Sequence, residues 1–339
     1  MEVSVKKLGK QTICFSNSPG ISETASIVSK KEGEGPLGAK FDQIVPDPMW
    51  EEASWEKAEN KFLKQATDKL LQKSKLNPGD IDYILSGDLI NQCTGTSFAI
   101  KDFNIPFLGI FGACSTIAEG LLIGSMIIDG DFGGRVIAST SSHFCSAEKQ
   151  FRTPLEYGGQ RPPTAQWTVT GAGALLLEKR HMPPFVTHAT VGKIVTHGVK
   201  DANNMGAAMA PAFVDTLCAH FNDTGREPAF YDLIVSGDLG GVGGALAKDL
   251  AQGAGFDINN NYNDCGCMIF DGEKQDTHAG GSGCACSAVV LCGYILDEMR
   301  AHRMNNVLFC ATGALMSPMT CMQGEDILGI SYAIALSNG

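Results

Sequence analysis

The chain has 339 residues, 44% of them apolar and 19% charged, with 40 glycines and a formal net charge of −11. That is ample for a real core in one large domain or two of ordinary size, and it excludes disorder and coiled coil. The acidic balance excludes a nucleic-acid footprint and gives no general attraction to anionic lipid, while small anionic ligands stay compatible because helix N-termini make local positive sites.

Residues 1–12, "MEVSVKKLGKQT", carry lysines with no apolar segment behind them, so no secretory leader is expected. No apolar stretch reaches roughly 18 residues, so no transmembrane helix is expected either. Residues 1–50 read as irregular, with "KKEGEGPLG" (30–38) an exposed loop. Residues 55–73 place Trp55, Ala58, Phe62, Ala66 and Leu70 at helical spacing, and "NPGD" (77–80) ends that helix. Within it, "SWEKAENK" (54–61) reads as a solvated face. Helices are also expected over 114–128, 208–221 and 286–300, with Gly120 and Gly124 marking close backbone packing. Apolar runs at 105–111, 135–139, 172–177, 232–236 and 306–311 read as buried strands. The Pro-, Gly- and Gln-rich stretch 145–168 reads as a long loop, and 251–278 as a loop-rich insertion. Strands alternating with helices imply layered α/β architecture.

The chain repeats itself. "DIDYILSGDL" (80–89) matches "FYDLIVSGDL" (230–239), placing Asp88 opposite Asp238. "ACST" (113–116) matches "ACSA" (285–288), and each is followed at the same distance by a strand-like run, "VIAST" (136–140) and "LFCAT" (308–312). Two similar halves follow, roughly 1–180 and 181–339. Twelve cysteines without a leader imply a reducing compartment and free thiols. The pairs Cys265/Cys267 and Cys284/Cys286 lack the two-residue spacer usual for zinc, so packing is the simpler reading and no metal site is assigned.

A duplicated α/β chain with a cysteine between strand and helix resembles the thiolase-like superfamily, through "GACST" (112–116), "TGAGALLLE" (170–178) and "VLFCATGAL" (307–315). More closely, "EGPLG" (34–38), "SGDLINQ" (86–92), "IPFLGIFGACST" (105–116), "TSSH" (140–143), "EYGGQRP" (156–162), "GDLGGVGG" (237–244) and "AGGSGCACSAVV" (279–290) resemble the stage V sporulation protein AD family. The resemblance implies a thiolase-like fold of two similar α/β halves in an α-β-α-β-α layering. It implies binding of dipicolinic acid and a role in moving that acid into the developing spore. It also implies membrane partners among the other stage V sporulation proteins of one operon, a homodimer, and a chain made in the cytoplasm that sits peripherally at the spore inner membrane.

Cys114 has the position of a nucleophile, where a helix N-terminus favours the thiolate. A nucleophile also needs a base. Condensing enzymes of the superfamily carry a histidine loop after the first strand of the second half, and the matching "SGDLGGVGG" (236–244) has none; Asp238 stands there instead. A neighbouring carboxylate raises a thiol's pKa, so the position reads as degenerate and no catalytic residue is assigned. Of the seven histidines, only His278 is a candidate stand-in base. The binding reading places dipicolinate among Asp88, Asn91, Cys114, Ser115, Ser141, Ser142, His143, Arg152, Asp238, Leu239, Gly281 and Ser282, with Arg152 and Arg161 offering bidentate clamps for carboxylate. Asp88 and Asp238 would repel a bare dianion, which fits a ligand arriving as its calcium chelate; no cofactor is expected beyond that calcium. Three bland alternatives stand beside this: Asp88 and Asp238 as turn braces, and Cys114 as a buried packing residue. The rival function is a Cys114-dependent acyltransferase using coenzyme A or carrier-protein thioesters. A third is a scaffold whose fold serves assembly alone.

Overall fold

The computed structural model describes residues 6–151, 161–179 and 182–339. In chain order the first half supplies β1 (Lys7–Leu8), β2 (Thr12–Cys14), β3 (Gly20–Ser29), α1 (Lys30–Gly33), β4 (Gln43–Val45), α2 (Trp55–Ser74), β5 (Tyr83–Gly87), α3 (Thr94–Ile100), β6 (Phe107–Gly109), α4 (Thr116–Asp129), β7 (Arg135–Ser142), α5 (Phe144–Phe151), β8 (Trp167–Thr168) and β9 (Gly171–Glu178). The second supplies β10 (Phe185–Val191), α6 (Met205–Thr224), β11 (Leu233–Ser236), α7 (Gly240–Gly253), β12 (Tyr262–Asp264), α8 (Cys265–Ile269), β13 (Gly281–Ser282) and α9 (Cys284–Val290). A π-turn, Leu291–Ile295, carries α9 into α10 (Leu296–Arg300), and β14 (Asn306–Leu315), α11 (Pro318–Met322) and β15 (Leu328–Ser337) follow.

The main sheet runs β12-β11-β14-β15-β10-β3-β9-β7-β5-β6. From either end inward, the order is third, second, fourth, fifth, first strand of that half. In each half the three outer strands are parallel and the fifth is antiparallel to its neighbours. The halves meet along β10, where Phe185 pairs with Gly20 of β3 and His188, Ala189 and Thr190 pair with Cys14, Ile13 and Thr12 of β2. Helix α2 covers β3, β9 and β7 on one side, while α6 covers β14 and β15 on the other. Between them α4 touches β7 as well as β14 and β15, and α9 lies on β7 and β9. These are the five layers, α-β-α-β-α, of a thiolase-like fold.

Helix α2 begins where Ser54 accepts from the Lys57 N–H and ends where Lys75 turns left-handed. Its Phe62, Leu63 and Leu70 are fully buried, worth about 2 kcal/mol each. The predicted helix over 208–221 is α6, begun by the Asn204 cap and ended by Gly225.

Three expectations need correction. Residues 1–50 are not irregular, because β3 is a ten-residue strand in the middle of the sheet. Covered on both faces, "GISETASIVS" shows no alternation, and its hydroxyls bond inward, Thr24 to the Cys292 carbonyl. The stretch 145–168 is not all loop: it opens as α5 and closes as β8, and the proline- and glycine-rich middle, 152–160, lies outside the described residues. The segment 251–278 contains β12 and α8, the latter capped by Asp264, whose side chain accepts from the Cys267 N–H.

Close packing around the central helices is real. A Cβ on Gly120 would meet the Ala138 Cβ at 3.1 Å, and one on Gly124 the Leu177 Cδ1 at 2.7 Å. Gly173 is tighter still: a Cβ there would lie 2.8 Å from both the Ala288 carbonyl carbon and its Cβ. A backbone cannot step aside as a leucine tip can. Gly173→Ala is therefore expected to cost about 3 kcal/mol, read as a lowered midpoint in urea unfolding; an unchanged midpoint would show that α9 and β9 are not locked together.

Candidate functional site

The predicted helix at Cys114 begins two residues late. Ala113 is left-handed (φ 50°), and the Ser115 and Thr116 N–H groups are spent on the Gly112 and Ala113 carbonyls. Cys114 thus sits in a tight turn ahead of α4 rather than on open helix N–H groups. Across from it α9 starts at Gly283, whose φ of 99° and lack of Cβ allow it to pass the Ser142 hydroxyl, 2.7 Å from where a Cβ would be. These two turns, one from each half, form the floor of a cavity.

Cys114, Ser282 and Gly283 make that floor, and Phe151, Met205 and Met316 add apolar walls. Glu148 of α5 is the one ionisable wall residue besides the thiol among the described residues. The Cys114 Sγ lies 4.0 Å from the Ser282 Oγ. Ser282 donates in turn to Asp238 Oδ2 at 2.8 Å, and the Gly283 N–H reaches the same oxygen at 3.2 Å. Thr312 donates to Asp238 Oδ1 at 2.9 Å. Since the Ser282 proton is committed to Asp238, that hydroxyl turns only lone pairs toward Cys114, which favours a thiol, with the Gly283 N–H opposing.

The electrostatics agree. Burial drives the Cys114 thiol well above its ordinary value, and Asp238 and then Cys284 push the same way. Burial also lifts Asp238 to about 6, with Asp264 adding and the bonds from Cys114, Ser282 and Thr312 opposing. Asp264 is a buried carboxyl that sequence reasoning missed. It accepts from Ser236 Oγ at 2.6 Å and from the Leu239 and Gly240 N–H groups at 2.8 and 3.0 Å, fixing the loop that carries Asp238.

The other predicted site residues scatter. Asp88 braces the start of α3, accepting from the Thr96 N–H and hydroxyl, both at 2.5 Å, and from the Ile90 N–H at 2.7 Å. It is fully buried and does not line the cavity. Asn91 is exposed and pairs with Gln150. The hydroxyls of Ser115, Ser141 and Ser142 turn inward to the Gly112 carbonyl, the Glu59 carboxyl and the Val169 carbonyl. His143 faces Pro48, donating from Nε2 to its carbonyl while Nδ1 accepts the Cys145 N–H, and burial lowers its pKa. Leu239 is buried, with its N–H on Asp264, and the Gly281 carbonyl accepts from Gln166. Arg152 lies outside the described residues. Arg161 stacks on Trp167 at 4.7 Å and donates to the Asp276 carbonyl, away from the cavity. His278 stands 3.5 Å from Asp276 and does not reach Cys114's cavity. Reasoning from sequence also missed Glu148, Met205 and Met316, which no motif marks.

Comparison with known proteins agrees with this architecture. In solved structures, the fold resembles 3-oxoacyl-[acyl-carrier-protein] synthase III from Aquifex aeolicus VF5 at TM-score 0.59 and 11% identity, covering 94% of this chain and 100% of the other. It resembles a single-residue variant of Xanthomonas campestris OleA at TM-score 0.60 and 11% identity, covering 96% and 99%. In sequence, the stage V sporulation protein AD of Bacillus subtilis (strain 168) is 42% identical over 330 residues, 97% of each chain. The profile of that family matches residues 9–337, and the chain belongs to the stage V sporulation protein AD family.

Proposed function

We propose that the chain is a non-catalytic binding protein for dipicolinic acid, taken as its calcium chelate in the cavity beside Cys114, and that it serves uptake of the acid into the developing spore. The observation that carries the non-catalytic part is Cys114 itself. Its thiol is buried against Ser282 and Asp238, and none of the cavity's described walls is a histidine. The choice of chelate rests on charge. The described walls include Glu148 and no lysine or arginine, and Asp238 lies just behind, so a bare dianion would meet only repulsion. Calcium held between the two carboxylates of the acid removes that repulsion. Among the described residues no three His, Cys, Asp or Glu side chains converge as metal ligands, so the ion would come with its ligand. The test is calorimetric titration with dipicolinate, with and without calcium. One-site binding is expected with calcium, lost in Cys114→Trp and weakened in Asp238→Asn. Absence of heat in both conditions would sink the reading and favour the acyltransferase, whose support is the fold shared with acyl-condensing synthases.

Assembly follows the same reading. The edge strand β6 leaves Phe107 and Leu108 38% and 43% exposed, beside Phe98 at 61%. An apolar free edge of this kind fits pairing with a second copy. A dimer mass is expected by light scattering, and a monomer mass for Leu108→Glu; a wild-type monomer removes the proposal. No described helix is long and apolar enough to cross a membrane, so a peripheral place at the spore inner membrane would depend on the membrane proteins of the same operon.

A further inference from the structure

The solvated reading of residues 54–61 fails at Glu59, which is 1% exposed on α2. Its Oε2 makes a short hydrogen bond with the Ser146 hydroxyl, and its Oε1 lies 3.4 Å from the Ser141 hydroxyl. The Ser146 Oγ is also 3.1 Å from the His143 carbonyl. A hydroxyl has one proton. Ser146 donates that proton to Glu59 Oε2, because the His143 carbonyl already accepts the Ala147 N–H at 3.0 Å. Among the described residues Glu59 thus has hydroxyl partners and no cationic one.

The surroundings offer no counter-charge. Asp88 is the acid that acts on it most strongly, itself fully buried and held by Thr96 and Ile90. Glu56, one turn back along α2, is paired with Lys149 at 2.6 Å. His143 is neutral, its two nitrogens bonded to the Pro48 carbonyl and the Cys145 N–H. Cys284 of α9 faces the pair and carries a thiol driven up by burial. Among the described residues no ion pair forms at Glu59. Two carboxylates this deep cannot both ionise without a cation.

Ser146 lies in the first turn of α5, and the next residues, Ala147 and Glu148, with Phe151, line the cavity beside Cys114. We propose that the Glu59 proton pins α5 against the cavity, and that its loss at alkaline pH loosens that wall, a latch operated by one proton. Once Glu59 ionises, an uncompensated charge is left buried beside Asp88, and relieving it means opening the contact between α2 and α5 to water. Burial, with Asp88 next, lifts Glu59 to about 8, which puts the release in the mildly alkaline range.

The test is infrared spectroscopy and amide exchange on the full chain. In the wild-type minus Glu59→Gln difference spectrum a neutral carboxylic-acid carbonyl band should be present at pH 6.5 and vanish by pH 9.5; the Gln amide oxygen accepts from Ser146 as the acid does. Corrected for intrinsic base catalysis, exchange over 144–151 should quicken about tenfold across that range in wild type and stay flat in the variant. Absence of the band at pH 6.5, or equal exchange in both proteins, overturns the latch. Should Glu59→Gln not fold, Ser146→Ala replaces it: α5 is then already fast at pH 6.5, and an α5 as slow as wild type overturns the proposal. No readout involves dipicolinate, so the latch and the ligand assignment stand or fall separately.

Discussion

Iodoacetamide at pH 8 is expected to leave Cys114 unmodified in the folded protein, at a rate about a thousandfold below that of the same cysteine in denaturant. Two factors multiply. A free thiol titrating near 8.5 is about one quarter thiolate at pH 8, whereas burial and Asp238 hold Cys114 far above that range. The side chain is also only 6% exposed, its Sγ packed toward Ser282. Peptide mass spectrometry after digestion, with Cys114 followed in native and urea-unfolded samples, measures the ratio directly. Asp238→Asn removes the charge but not the burial, so it should recover about tenfold at most. Rapid stoichiometric labelling of the native thiol would instead identify a working nucleophile and return the acyltransferase to first place.

Asp238→Ala is expected to lower stability by about 3 kcal/mol at acidic pH, and by about 2 kcal/mol less at pH 7.5 than at pH 4.5. The loss comes from three donors stranded together: the Ser282 and Thr312 hydroxyls and the Gly283 N–H. The pH dependence comes from the wild type. Its Asp238 titrates near 6 in the fold against 3.8 as an ordinary carboxyl. A raised folded pKa gives stability that is complete below the unfolded value and is lost as pH climbs through the folded one. Wild type therefore weakens between pH 4 and 6 relative to any variant lacking the carboxyl, and the gap narrows. Urea midpoints for the two proteins at both pH values give the measurement. A gap that does not change with pH would mean that the carboxyl is ionised throughout and has a counter-charge.

The repeat was readable because each copy is a strand ending at the same Ser-Gly-Asp, and a strand order third, second, fourth, fifth, first in both halves is what such a repeat produces. What each aspartate does was not readable. Asp88 finds its partners within eight residues, at Ile90 and Thr96, while Asp238 finds Ser282 and Thr312, brought in by the fold. That "SGDLGGVGG" (236–244) has no histidine could be seen because an absent residue type is visible in one dimension. Strand β3 could not, since burial on both faces erases the alternation that marks a strand. Glu59 was hidden for a related reason: in "SWEKAENK" it is one charged residue among several, and only the approach of Ser141, Ser146 and Asp88 sets it apart. The apolar cavity walls carry no motif, because Met205 and Met316 matter there only through shape.

The seam at the centre of the sheet has a consequence for synthesis. Strand β3 is made early and waits for β9, so the first half can close once residue 178 has emerged. Strand β10 pairs mainly with β15, and β14 also needs β15, so the second half stays open until residue 337 is available. A nascent chain therefore carries a first half whose strands are paired but whose β7 and β9 lack their α9 cover until residue 290, tethered to strands with unpaired edges through the translation of residues 185–337. Those edges are apolar and prone to join the wrong neighbour. Nascent-chain protection by a chaperone should matter most over this interval, and slowed translation near the end should lower the soluble yield more than slowing near the start.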